Sequence, residues 1–211
     1  MTRPSSEPRA KTPDVSLPEQ SSLAARPDER RQRIADALEH CIRKEGLSAT
    51  TLTAIARAAR MSPSHLRYYF AGKEEIVEYY LSALSEELVR EISRLNKATP
   101  DQWLSDFADY FVGNPRVTRS NIAVMIEIFG MCVHNPRLSR AKARFDGFVR
   151  GVLLDFFQWA GTAPGISPED AAYTAWSLEI GMKFNAAFQR DFSRERARTI
   201  FYEETRRLAG L

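Results

Sequence analysis

The chain has 211 residues, of which 44% are hydrophobic, and a formal net charge of +3, so it is long enough for one large or two small domains. No apolar run approaches the roughly 20 residues that span a bilayer, and no hydrophobic block near the N-terminus is typical of a secretion signal. We therefore expect a cytoplasmic protein with no membrane partner. The two cysteines, Cys41 and Cys132, lie in apolar helical patterns, which argues against a disulfide framework or a cysteine-rich metal site.

The N-terminal segment, residues 1–27, differs in composition from the rest. It is rich in proline, serine and charge, and it holds five of the eleven prolines without any amphipathic period. Such a segment cannot bury enough apolar surface to fold, so a disordered tail is predicted.

The next segment, residues 28–73, reads as three helices. Asp28 is placed to cap a first helix that ends near Glu45. Thr50 and Thr51 then precede a short apolar face, and Ser62 followed by Pro63 signals the start of another short helix. That last helix presents hydroxyl, imidazole, guanidinium and phenol groups on one side, which suits the major groove of DNA. The segment also carries nine Lys/Arg against five Asp/Glu, a weak sign of the same partner.

The remaining chain repeats one helix-starting device, a capping side chain followed by proline. A long helix from Glu74 to about Asn96 comes first, and the device then recurs at Thr99–Pro100 (with Gln102 completing a capping box), Asn114–Pro115, Asn135–Pro136 and Ser167–Pro168, while Ser193 begins a last helix. Long helices are predicted over 136–160 and 167–190. No stretch alternates like a strand, so the fold class is all-α with nine or ten helices.

Residues 50–76 resemble the DNA-binding signature of the TetR (tetracycline repressor) family of bacterial transcriptional regulators. The matching residues are Thr50, Thr51, Leu52, Ile55, Ala56, Ala59, Met61, Ser62, Leu66, Tyr69, Phe70, Lys73, Glu74 and Ile76. Arg60 departs from the pattern by replacing the turn glycine, which predicts a residue at positive φ. Ser64 with His65 replaces a Gly-Thr pair, and Arg67 stands where a tyrosine is usual.

The resemblance implies a helix-turn-helix domain over 28–73 and a larger helical ligand-binding and dimerisation domain over 74–211. It implies a double-stranded DNA operator as partner and a bacterial, nucleoid-associated protein without cofactor or metal. Phosphate contacts are expected from Thr51, Tyr68, Tyr69 and Lys73. Base-edge or mixed contacts are expected from Thr53, Ser64, His65 and Arg67. Ser62 is expected to bind DNA as well.

For the second domain the resemblance implies a homodimer and an unidentified small-molecule effector. Aromatic and sulfur side chains at helical spacing are the expected pocket lining: Trp103, Phe107, Tyr110, Phe111, Met125, Phe129, Trp176 and Phe184. The expected dimer interface comprises Phe145, Phe148, Val152, Phe156, Ile180 and Gly181. Glu127 and Glu179 interrupt apolar runs; each either recognises a cationic or hydroxylated ligand or, more ordinarily, faces solvent or pairs across an interface. Glu179 also has the helical spacing of an ordinary surface pair with Lys183.

The function predicted is a ligand-responsive repressor that a small molecule releases from a palindromic operator. Two alternatives keep the DNA reader: a second domain that only dimerises or docks a protein, and an activator in place of a repressor. An enzyme is the alternative from another class. It has little support, because no phosphate-binding loop, HExxH or paired CxxC spacing, or nucleophile elbow occurs.

Overall fold

The computed structural model describes residues 29–211, and this part of the chain is entirely helical. The nine helices described are α1 (Glu29–Glu45), α2 (Leu52–Ala58), α3 (Pro63–Tyr69), α4 (Lys73–Ser93), α5 (Pro100–Phe111), α6 (Arg119–His134), α7 (Pro136–Ala160), α8 (Pro168–Phe188) and α9 (Arg194–Leu208). The all-α prediction is confirmed. The predicted tail and the predicted capping by Asp28 lie outside the described residues.

The predicted helix starts are largely confirmed, because the capping side chains make the bonds that their positions suggested. Ser62 Oγ accepts from the His65 backbone N–H at 3.1 Å, and Thr99 Oγ1 accepts from that of Gln102 at 3.1 Å. Asn135 Oδ1, Ser167 Oγ and Ser193 Oγ cap α7, α8 and α9 in the same way. Each cap satisfies an N–H that has no partner inside its helix.

Two local predictions were wrong. Asn114–Pro115 begins a turn rather than a helix, because Asn114 Oδ1 folds back onto the Arg116 N–H at 2.8 Å, and α6 starts only after Thr118. The side chain of Gln102 does not complete a capping box. It donates to Asp106 one turn ahead, at 2.8 Å.

Two hydrophobic clusters organise the described residues. The first joins α1–α3 and the start of α4 to α6 and the beginning of α7, and it contains Ile34, Leu38, Ile55, Leu66 and Phe70. The second joins the end of α4 to α5, α7, α8 and α9, and aromatic rings dominate it. We call α1–α3 the head and α5–α9 the body; α4 runs between them and contributes to both clusters. The predicted boundary at residue 73 stays a prediction.

None of the helices within residues 29–211 combines the length and apolar character needed to cross a bilayer.

Candidate functional site

The turn between α2 and α3 is closed by backbone bonds. The Met61 N–H donates to the Ala56 carbonyl at 2.9 Å, and the Arg60 N–H donates to that of Arg57 at 3.1 Å. This is the Schellman arrangement that ends many helices, and it needs a left-handed residue. Arg60 supplies it at φ 57°, the only non-glycine residue at positive φ in the described chain, as the missing turn glycine predicted.

The side chains of α3 divide sharply between core and solvent. Leu66 is completely buried and Phe70, just after the helix, is nearly so. The opposite side exposes the polar residues, which are Ser62, Ser64, His65, Arg67 and Tyr68, while Thr51 and Thr53 of the preceding helix start are exposed as well. Tyr68 is 82% exposed, an extreme value for a large aromatic side chain. The head therefore offers a polar, aromatic surface with no described partner in its own chain for the Tyr68 ring beyond Tyr69.

Contacts from α1 hold the C-terminal end of α3 in place. The Arg31 guanidinium donates to the Tyr69 carbonyl at 3.1 Å and lies 4.9 Å from the centroid of the Phe70 ring. Arg30 donates to the Tyr69 hydroxyl at 2.9 Å. Tyr69 is thus half-buried and already hydrogen-bonded, so it differs from the freely exposed Tyr68.

Three other predicted contact residues have structural tasks. Thr51 and Ser62 cap α2 and α3 through their side-chain oxygens, which leaves each hydroxyl its proton for donation. Lys73 is half-buried and donates to the carbonyls of Leu47 at 2.9 Å and Thr50 at 3.1 Å. Two of its three ammonium donors are therefore committed within the head.

The body contains a cavity of about 230 Å³ among α4, α5, α6, α7 and α8. Its walls are mainly apolar, and Arg116, an exposed residue, lies at its rim. Five of the predicted lining residues do line it: Tyr110, Phe111, Met125, Phe129 and Trp176.

The other three predicted lining residues lie elsewhere. Trp103 and Phe107 are buried in the second cluster, where Trp103 stacks on Phe107 at 5.0 Å and on Phe156 at 4.9 Å between ring centroids. Phe184 does not line the cavity and lies 6.3 Å from Phe188 instead. Helical spacing cannot separate these residues from true lining residues, because core and cavity occupy the same side of a helix.

Charged side chains enter the cavity wall from α7 and α8. Glu179 is 2% exposed and forms an ion pair with Lys183, one turn further along α8. Burial raises the pKa of Glu179 above its ordinary value, and the ammonium of Lys183 partly opposes that shift. Asp146, which also lines the cavity, pairs with Lys142 at 2.5 Å. The interpretation of Glu179–Lys183 as a surface pair was wrong, since the carboxylate is in the interior.

A polar network joins the cavity wall to α1. The Tyr80 hydroxyl donates to Glu39 at 3.4 Å, and burial raises the pKa of this phenol. Glu39 pairs with Arg43, which in turn donates to Asn121 Oδ1 at 2.9 Å. Both Tyr80 and Asn121 line the cavity, so α1 is bonded to two of its walls.

Glu127 makes a second connection between body and head. Its carboxylate accepts from the backbone N–H of Leu47, in the turn between α1 and α2. Neighbouring residues of the same helix, Met125, Ile128 and Phe129, line the cavity. One helix therefore contacts both the cavity and the turn that precedes α2 and α3.

The sequence model for bacterial regulatory proteins of the tetR family matches residues 34–80, from α1 to the first half of α4. The resemblance of this part of the chain to the TetR family, predicted from residues 50–76, is confirmed. Proteins of this family are DNA-binding transcription regulators, which removes the enzyme alternative.

One curated relative and two solved structures are also similar to this chain. The nicotine-responsive transcriptional repressor HdnoR of Paenarthrobacter nicotinovorans is 32% identical over 73 residues, which span 35% of this chain and 38% of that repressor. A TetR transcription regulator from Haloarcula marismortui superposes with a TM-score of 0.74 at 19% identity, covering 85% of this chain and 98% of that one. A transcriptional regulator from Saccharomonospora viridis, solved in complex with choline, gives 0.68 at 18% identity, covering 84% and 95%. At these identities the two structures show a shared fold.

The residues predicted for the regulator's dimer interface fall into three groups. Val152 and Phe156 are buried by the chain itself and have little surface to offer a second copy. Phe145 and Ile180 line the cavity. Phe148 and Gly181 are partly exposed on α7 and α8, and a Cβ added to Gly181 would meet no atom of the described chain within 4 Å.

Sequence reasoning missed part of the cavity wall. Tyr80, Leu84, Glu87, Asn121 and Asp146 line it without having been singled out for that role. For Tyr80 and Leu84 the only sequence signal was membership of the apolar stripe of α4, which also serves the core. Asn121 and Asp146 carried no signal that distinguishes them from solvent-facing polar residues.

Proposed function

We propose that this TetR-family regulator is a homodimeric repressor that binds a near-palindromic DNA operator and releases it when a small molecule occupies the cavity. The observation that carries the proposal is the exposed polar face of α3, held from beneath by Leu66 and Phe70, in a protein whose body also contains a cavity. The two predicted domains, 28–73 and 74–211, would divide these tasks.

The DNA-binding part of the proposal rests on the side chains of α3. Ser64, His65, Arg67 and Tyr68 are exposed together on a helix short enough to enter the major groove. A guanidinium at Arg67 suits a guanine edge or a phosphate, and Tyr68 and Thr51 suit phosphates through their hydroxyls. Lys73 and Tyr69 would contribute less, since their polar groups already bind the head itself.

The proposal of a homodimer rests on the outer face of α7 and α8. Gly147 and Gly151 lie one turn apart in α7, and a Cβ at either position would meet no described atom within 4 Å. A glycine in a helix interior costs about 1 kcal/mol relative to alanine, so a run of them favours a packing role. Close approach of a second copy supplies that role, and a dimer would set two α3 helices about 34 Å apart on successive turns of DNA.

The proposal of a small-molecule effector rests on the cavity and on two relatives. HdnoR is nicotine-responsive, and the Saccharomonospora viridis structure holds choline, so both are associated with small organic molecules. In this chain, α6 contributes Met125 and Phe129 to the cavity and Glu127 to the Leu47 turn. A ligand that displaces α6 would therefore move the head, and DNA would weaken ligand binding by the same factor.

The experiment that tests the proposal is selection of bound duplexes from a random DNA library, followed by affinity measurements at two salt concentrations. A two-fold symmetric sequence should emerge. Arg67→Ala should weaken binding to it by about 10- to 100-fold if a bidentate contact is lost, and should reduce the salt dependence by about one ion if the contact is to phosphate.

Arg207→Ala is the matched control, because it removes the same charge from an exposed position in α9. Its affinity and salt dependence should equal those of the wild type. Weak, sequence-independent binding that Arg67→Ala leaves unchanged would contradict an operator-specific regulator.

A further inference from the structure

The cavity wall contains a buried carboxylate that is paired with a single cation. Glu179 Oε1 is fully buried, and the Lys183 ammonium forms an ion pair with it. The described residues supply no further hydrogen bond to this oxygen. The buried negative charge therefore depends on one lysine, beside a cavity large enough for a ligand.

The rest of the wall is suited to positive charge. Two of the chain's own ammonium groups lie beside aromatic rings and carboxylates there: Lys142 Nζ is 4.0 Å from the centroid of Phe129 and bonded to Asp146, and Lys183 Nζ is 6.0 Å from that of Phe111. Aromatic faces attract ammonium groups electrostatically, most strongly where water is excluded.

Anion binding is less well supported because the two partners of the buried pair differ in mobility. Glu179 is held 2% exposed on a short side chain, so its charge cannot leave the wall. Lys183 has a side chain 14% exposed and a flexible four-carbon stem, which lets its ammonium move away while the stem stays packed. An incoming cation can therefore take the place of the lysine charge at this pair, whereas an anion would have to displace the less mobile Glu179 carboxylate.

We propose that the cavity binds a small organic ammonium cation with an apolar body, and that Glu179 is its counter-ion, displacing Lys183. The inference rests on the proposed function only in taking the cavity as the effector site. A volume of about 230 Å³ lies below the roughly 300–1,000 Å³ usual for drug-sized ligands, which favours a compact molecule.

Three probes of the same shape test the charge preference: phenyltrimethylammonium, its neutral isostere tert-butylbenzene, and benzenesulfonate. Each has one ring and one tetrahedral head, and binding to the full chain is measured by calorimetry without DNA. The cation should bind at least 10-fold more tightly than the other two. Lys183→Met keeps the apolar stem but removes the competing ammonium, so it should tighten cation binding by about 10-fold.

Glu179→Gln keeps the shape of the side chain and should weaken cation binding by 10-fold or more while leaving the neutral probe unchanged. Because this variant strands the Lys183 charge, the double variant Glu179→Gln with Lys183→Met is measured beside it and should show the same loss. Glu169→Gln, on the exposed first turn of α8, is the matched control and should bind all three probes as the wild type does.

Equal or tighter binding of the neutral or anionic probe, or cation affinity that is indifferent to Glu179→Gln, overturns the proposal. These results are independent of operator binding. A chain that binds an operator but prefers a neutral or anionic ligand keeps the proposed function and loses this inference. A chain that binds the cation through Glu179 but selects no operator keeps this inference and loses the proposed function.

Discussion

The head and the body are both helical, but they place their polar side chains differently. The head exposes them to solvent, whereas the body encloses charged side chains in its interior. In the head, Leu66 and Phe70 are buried and the chemistry-bearing residues of α3 face solvent. In the body, Glu179 and Lys183 face inward, and the aromatic rings divide between a solid core and a cavity wall. A surface that must enter a groove of DNA needs exposed donors, whereas a small-molecule site needs enclosed ones.

The difference has a structural counterpart in the two hydrophobic clusters. The first cluster contains the head together with parts of α6 and α7, so the head is not packed by its own three helices alone. The second contains the stacked rings of Trp103, Phe107, Phe156 and Phe201. The head thus depends on the body for part of its core, and the contacts that stabilise it are the ones through which a ligand would act on it.

The largest expected effect on stability comes from truncating one buried phenylalanine in each hydrophobic cluster. Phe107→Ala and Phe70→Ala remove side chains that are almost completely buried, so each should lower the free energy of unfolding by about 3–5 kcal/mol. Their effects on DNA should differ. Phe70 supports the end of α3, so its loss should also weaken operator binding by the molecules that remain folded.

Chemical unfolding and operator titration, at a temperature where both variants are folded, measure this pair. If Phe107→Ala weakens operator binding as much as Phe70→Ala does, the head and body are not separable in the way their cores suggest.

A smaller effect is expected at the junction between the regions. Glu127→Ala removes the acceptor for the half-buried Leu47 N–H, which should cost about 1–3 kcal/mol of stability. It should also reduce the factor by which a ligand weakens operator binding, measured as operator affinity with and without saturating ligand. Glu127→Gln is the control, since its amide oxygen can still accept. A Glu127→Ala protein with unchanged ligand response would show that α6 does not act on the head through this bond.

The smallest effect concerns the turn of the head. Arg60→Gly relieves a left-handed residue and should raise the free energy of unfolding by up to about 1 kcal/mol. Arg57→Gly removes the same charge from a right-handed helical position in the last turn of α2 and should lower the free energy of unfolding by up to about 1 kcal/mol. Thermal and chemical unfolding distinguish the two signs. A loss of stability in Arg60→Gly would mean that the arginine makes contacts that outweigh its backbone conformation.

Local patterns predicted the helices well because each start is determined by neighbouring residues. Ser62–Pro63, Asn135–Pro136 and Ser167–Pro168 needed no information from the rest of the chain. Asn114–Pro115 failed because an asparagine before proline equally favours a turn, and only the following residues decide between the two.

The head's exposed face was also predictable, because a seven-residue helix with one buried position, Leu66, and a buried Phe70 just after it leaves little freedom for the other residues. The body was harder. Phe107 and Phe111 lie one turn apart on the same helix and stack at 4.2 Å, yet only Phe111 reaches the cavity. The burial of Glu179 likewise depends on how α8 packs against its neighbours, which spacing along one helix does not contain.

The bonds of Lys73 have a mechanical consequence. Its ammonium bonds the start of α4 to the carbonyls that precede α2, so we expect α2, α3 and the beginning of α4 to move together. With 21 residues, α4 is about 31 Å long. As a lever of that length, it would convert a tilt of about 6° at the body into a displacement of about 3 Å at the head, close to the 3.4 Å step between base pairs. A small tilt of α4 would therefore shift α3, the helix proposed to read DNA, by about one base pair.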